Sequence, residues 1–196
     1  MIEDSPKHTA ATRLFHAMLA LSIIAQLVTS LGMTYPRNGH PGNILFTLHQ
    51  YGGFVALALS LVFWLAIFTR RRGTSLAALV PWFSATRRKA VWDDTITHLT
   101  AMMRLELPPH DDHAAMPSAI HGLGLLLMTA LAVTGTYGFI MRSYGLGQAI
   151  YVRPFMELHG LMGNIAWAYL IGHASLGLLH HLARQTSLGV MWSIRG

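Results

Sequence analysis

The sequence predicts an all-α protein: one bundle of four transmembrane helices spanning residues 1–196, with both termini cytoplasmic. Three observations predict it. The chain is 53% hydrophobic and only 11% charged, whereas a soluble domain of this length is about one quarter charged. Four stretches reach the roughly 20 apolar residues that a membrane-crossing helix needs, and none carries Lys or Arg inside it. The basic residues are also sided: with the N-terminus inside, eleven Lys and Arg flank the cytoplasmic ends and only Arg37, Arg142 and Arg153 the outer ones, which fixes orientation by the positive-inside rule.

The first span is about 14–34, LFHAMLALSIIAQLVTSLGMT. Glu3 and Asp4 ahead of it, its length and the lack of a small-x-small cleavage site predict a signal anchor that stays in place. A short outer connection, YPRNGHPGN, leads to the second span at about 44–69. The cytoplasmic connection, about 70–117, is longer than a helical bundle needs. Within it Trp92, Ile96, Leu99 and Met103 recur at helical spacing behind Asp93 and Asp94, predicting an amphipathic helix over about 90–107, ahead of Pro108 and Pro109. Such a helix lies on lipid or offers a docking face to a partner. The HDDH run at 110–113 reads as a solvated linker. The third span, about 118–141, and the fourth, about 156–183, are joined outside by SYGLGQAIYVRP.

The net charge of +6 does not point to nucleic acid, because the basic residues are scattered beside apolar spans with no aromatic-interleaved patch. The chain has no cysteine, which excludes disulfides, thiolate-bound metals, iron–sulfur clusters and covalently attached haem. It has twelve histidines, several inside apolar spans, where an imidazole is costly unless paired or ligating.

His159 and His173 lie 14 residues apart on the fourth span. At helical pitch they return to within roughly 40° of one face, about 21 Å apart along the axis, so one helix can serve two sites stacked across the membrane. Depth pairs His49 with His159 outside and His16 with His173 inside. Four residues on, on the same helix face, stand Gly53 after His49, Gly163 after His159, Gly177 after His173, and Ala20 after His16. These leave room for something flat beside each ring, although small residues also serve close helix packing. A bare ion would want three or four ligands, whereas haem needs only two axial ones. His121 competes with His16 for the inner pair, as axial ligand or as hydrogen-bond partner to a propionate or quinone. Arg13 and His121 inside, with Arg37 and His40 outside, are further candidates for quinone or propionate contact.

These residues resemble the prokaryotic cytochrome b561 family, whose broader family includes the b-type cytochrome subunits of nickel–iron hydrogenases. The resemblance rests on His16 in the first span, His49 with Gly53 in the second, and LHGLMGNIAWAYLIGH followed by LLHHLARQ in the fourth. It implies a membrane bundle holding two non-covalent b haems, one near each face of a bacterial-type inner membrane. His16, His49, His159 and His173 are by this resemblance the axial ligands of haem iron, and electrons pass to or from quinone. Some members are associated with superoxide oxidation. If the chain is an enzyme, it is a quinone-linked oxidoreductase with no catalytic side chain of its own. The long 70–117 connection departs from the pattern and suits a subunit of a larger dehydrogenase or hydrogenase complex. A membrane anchor or sensor without redox centres is the reading from another class.

Overall fold

A computed structural model describes residues 9–36, 40–70, 73–108, 111 and 114–189, and all regular elements among them are helical. Helix α1 (Ala10–Gly32) begins at Thr9, whose hydroxyl accepts from the Thr12 amide, and so starts and ends a little earlier than the apolar run alone predicts. Helix α2 (Ile44–Thr69) takes the predicted bounds. Asn43 joins the two: its side chain accepts from the Phe46 and Thr34 amides, both at 3.0 Å, and donates to the Gly32 carbonyl at 2.8 Å. One residue thus caps α2 and ties it to the end of α1.

The connection that follows is more ordered than the sequence suggests. It holds a one-turn helix α3 (Leu76–Leu79), a 3-10 turn at Pro81–Phe83, and helix α4 (Ala85–Met103). Helix α4 starts earlier than its apolar periodicity because Ser84 caps it, and ends earlier because Leu105 turns into the left-handed region. Asp94 therefore sits inside α4 instead of near its start. Its carboxylate accepts from the Met116 amide at 2.8 Å, supplying helix α5 (Ala115–Ser143) with the acidic cap that Ala114 cannot provide. Leu79 is buried against α5. A Cβ on Gly122 would meet the Leu79 carbonyl oxygen at 1.8 Å, so α3 reaches this position only because residue 122 is glycine.

Helix α6 (Arg153–Leu182) completes the bundle. Helices α1, α2 and α5 are long and apolar enough to cross a membrane. Helix α6 is the longest at 30 residues, but its four histidines and Asn164 dilute its apolar character. Extensive packing runs from α1 to α2, from α2 to α5 and from α5 to α6. Leu19, Ile23 and Leu27 of α1, Ala56 and Ile67 of α2, Leu125 and Met128 of α5 and Ala166 of α6 form the centre. Trp64 donates to Thr129 across the α2–α5 interface at 3.0 Å. Large apolar side chains such as Leu31, Leu65, Phe68 and Ile171 point outward, as they do where lipid replaces water.

Replacing Gly122 by alanine should displace α3 and lower stability by about 1–3 kcal/mol. Gly172→Ala, where a Cβ meets nothing within 4 Å, should leave the thermal midpoint of the detergent-solubilised protein unchanged or raised. Equal midpoints for the two variants would refute the close α3–α5 contact.

Candidate functional site

Because α6 packs extensively on α5 alone, its other side stands off from α1 and α2 and leaves two cavities, about 780 and 560 Å³. The larger cavity, beside the α1–α2 turn and called outer after the orientation that the sequence predicts, is lined by His49 and Gly53 of α2, His159 and Gly163 of α6, and Gly135 and Arg142 of α5. The inner one is lined by His16 and Ala20 of α1, His173 and Gly177 of α6, and His121 of α5, with Arg70, Thr74 and Leu79 from the connection. Ile23 and Met128 line both, so one layer of side chains divides them.

Each cavity brings two histidines from different helices face to face. The rings of His49 and His159 have centroids 6.2 Å apart and planes at 88°. Those of His16 and His173 are 6.4 Å apart at 57°. His121 also reaches the inner cavity, with its ring 5.2 Å from that of His173. The glycines beside these rings open onto space: a Cβ on Gly163 would meet nothing within 4 Å, and on Gly53 or Gly177 only ordinary contacts at 3.9 Å. Gly135 is different. A Cβ there would lie 3.1 Å from His159 Cε1, so this glycine lets the imidazole rest against α5.

The second nitrogen of each outer ring is anchored across a helix interface. His49 Nδ1–H donates to the Gln26 carbonyl at 3.0 Å, with Thr29 Oγ1 at 3.2 Å. His159 Nδ1 lies 3.0 Å from Thr134 Oγ1. Carbonyls one turn back on the same helix are already engaged in the helix ladder. The acceptors come instead from α1 and α5. In the inner cavity the Tyr169 ring stacks on His173 at 5.6 Å and 6°, its phenol end lying where a Cβ on Gly124 would be.

The remaining candidates separate. Arg13 is buried, with its Nε lacking a hydrogen-bond partner, and lines neither cavity. His40 is exposed and also lies off both cavities. Arg37 falls outside the described residues. Arg142, missed as a site residue in the sequence, lines the outer cavity, lies 4.9 Å over the Phe46 ring and keeps a buried Nε without a partner. Its inner counterpart Arg70 donates to the Thr74 carbonyl, and partial burial lowers its pKa below the usual arginine value. Among the described residues no group of three or more His, Asp or Glu side chains is placed to hold a bare metal ion. Tyr169 could have been found from its place four residues before His173 on one helix face. Thr29 and Thr134 carry no comparable signal.

A sequence model of the family described as prokaryotic cytochrome b561 matches residues 7–193. No curated protein and no solved structure matches the chain. The chain belongs to the prokaryotic cytochrome b561 family, and so to the haem b electron-transfer proteins of the membrane.

Proposed function

We propose that this member of the prokaryotic cytochrome b561 family is a four-span inner-membrane carrier with two non-covalent b haems. The outer haem is held by His49 and His159, the inner by His16 and His173. In this reading α6 is the fourth span, both termini are cytoplasmic, and electrons pass between quinone or quinol and a second donor or acceptor, with superoxide as one candidate.

The observation that carries the reading is the separation of the rings. A five-membered ring with bonds near 1.33 Å has a radius of roughly 1.1 Å. Two imidazoles bound in trans to one metal at about 2.0–2.1 Å therefore have centroids roughly 6.3 Å apart. The two pairs stand at 6.2 and 6.4 Å, while His121 is too close to His173, at 5.2 Å, to share an iron across from it. The anchored Nδ1–H of His49 leaves Nε2 as its lone-pair nitrogen. Gly53, Gly163 and Gly177 leave space beside the rings. Arg142 of the outer cavity and Arg70 of the inner are placed to neutralise propionates, and the orphaned Arg142 Nε supplies a donor with no other partner.

Each haem, when bound, supplies a one-electron iron couple. The protein's own part is to fix ligand geometry, exclude water and hold the two sites close together. Two histidines that would hold each haem suit electron transfer more than oxygen chemistry. Ile23 and Met128 line both cavities, giving a short path between the two sites. His121, exposed and beside His173, is the best placed of the candidate quinone contacts.

A second reading, a cytochrome subunit fed by a docked dehydrogenase, is favoured by the exposed Trp92, Ile96, Leu99 and Met103 on α4. A large peripheral protein that copurifies with the chain, and is lost on disrupting α4, would establish it.

Reduced-minus-oxidised spectra of the purified protein should give two b haems per chain. His49→Ala and His159→Ala should each remove the same haem, and His16→Ala and His173→Ala the other. A chain without haem overturns the carrier reading, and loss of the inner haem in His121→Ala but not in His16→Ala overturns the inner pairing.

Electron paramagnetic resonance adds an independent check. Perpendicular imidazole planes donate to different iron d orbitals and keep them nearly degenerate, whereas planes closer to parallel split them. The ferric signal lost in His49→Ala, from the pair at 88°, should therefore be the more anisotropic, and the one lost in His16→Ala, from the pair at 57°, the less so. The reverse order would contradict the assignment.

A further inference from the structure

The outer histidines share a device with no place in the reading above. His49 Nδ1 carries its proton, because the Gln26 carbonyl it touches can only accept. The same N–H reaches Thr29 Oγ1. The Thr29 hydroxyl sends its own hydrogen back to the Ala25 or Gln26 carbonyl, at 2.8 and 2.9 Å, leaving its oxygen to accept. Across the cavity Thr134 repeats the arrangement: its hydroxyl donates to the Ala130 carbonyl at 2.7 Å, and His159 Nδ1 is 3.0 Å from its oxygen. Gly135 beside it permits the approach. The two threonines come from different helices, α1 and α5, and meet the two outer rings from outside the cavity. In the inner cavity His173 is faced instead by the ring of Tyr169.

We propose that Thr29 and Thr134 are positioning residues that set the donor strength of the outer haem ligands. The inference rests on the bis-histidine reading. An imidazole whose Nδ1–H is drawn toward an oxygen is a stronger base at its other nitrogen. A hydroxyl already polarised by its own bond to a carbonyl draws more firmly. Stronger donation favours ferric iron, so the hydroxyls hold the outer couple at a lower potential than the same histidines would give alone. The device belongs to the outer pair, and it is the outer couple that it lowers. A threonine hydroxyl bonded to the carbonyl four residues back is common in helices and by itself bends them. That purely structural role would not move a potential.

The test is an equilibrium redox titration of the purified holoprotein in detergent, followed by its visible spectrum, for Thr29→Val, Thr134→Val and the corresponding serine variants. The outer midpoint is identified as the one missing in His49→Ala. Each valine variant should raise it by about a tenfold change in the reduction equilibrium, 59 mV for a one-electron couple. The inner midpoint should stay in place, and serine should restore the wild-type value. Loss of the outer haem from both valine variants would make the threonines structural supports of the rings and overturn the tuning proposal. It is overturned if the valine variants keep low-spin haem with the outer midpoint unmoved, if both midpoints move together, or if serine behaves as valine does. A wild-type chain without haem refutes the bis-histidine reading itself, a different outcome from an unmoved midpoint.

Discussion

The structure depends on one departure from close packing. Helix α6 packs extensively on α5 alone, and the stand-off from α1 and α2 creates both cavities. Protein interiors tolerate few voids larger than a water molecule, so a gap of this size is built to receive a group. Glycine shapes it from both directions. Gly53, Gly163 and Gly177 keep the cavity sides of α2 and α6 clear, while Gly135 lets an imidazole settle on α5. The same residue type makes space in one place and contact in another, and only the neighbour distinguishes the two.

The histidines bring a polar cost into an apolar bundle, and the helix interfaces offset it. Burying an unsatisfied polar group costs on the order of a few kcal/mol, yet the outer rings have their second nitrogen satisfied by groups of α1 and α5. Those acceptors are available because Thr29 and Thr134 have already bonded back onto their own helices. Each imidazole is thereby fixed in tilt by a helix other than the one that carries it. Precision in the site follows from the helix packing, in keeping with the general demand that supporting groups lock the groups that do chemistry.

Much of this was legible in the sequence because depth in a membrane is nearly a linear function of position along a helix. His49 and His159, or His16 and His173, can be matched by counting from span ends, and the bounds of α2 follow from its apolar run. The glycines four residues on were readable for the same reason. What counting cannot give is azimuth between helices: Thr29 and Thr134 look like ordinary threonines in lipid until α1 is laid against α2 and α5 against α6. Asp94 misled for a related reason. Acidic residues favour helix N-termini, and Asp94 does serve one, but it belongs to α5 and is reached through tertiary packing.

The 70–117 connection looked like surplus chain suited to an external partner, and its inner part has a different task. Arg70, Thr74 and Leu79 line the inner cavity, and Leu79 is seated against Gly122, one residue after His121. Asp94, oriented in part by His98 Nδ1 at 3.1 Å from its carboxylate, holds the first turn of α5 from the other side. The connection therefore lines one side of the inner cavity and fixes the start of the helix bearing His121. Among the described residues the outer cavity is bounded instead by Tyr35, Pro36, Gly147 and Gln148 of the shorter loops. The two sites, so alike in their histidine pairs, thus differ in the elements that border them: the ordered connection and Tyr169 at the inner site, and the short loops and the threonines of α1 and α5 at the outer one.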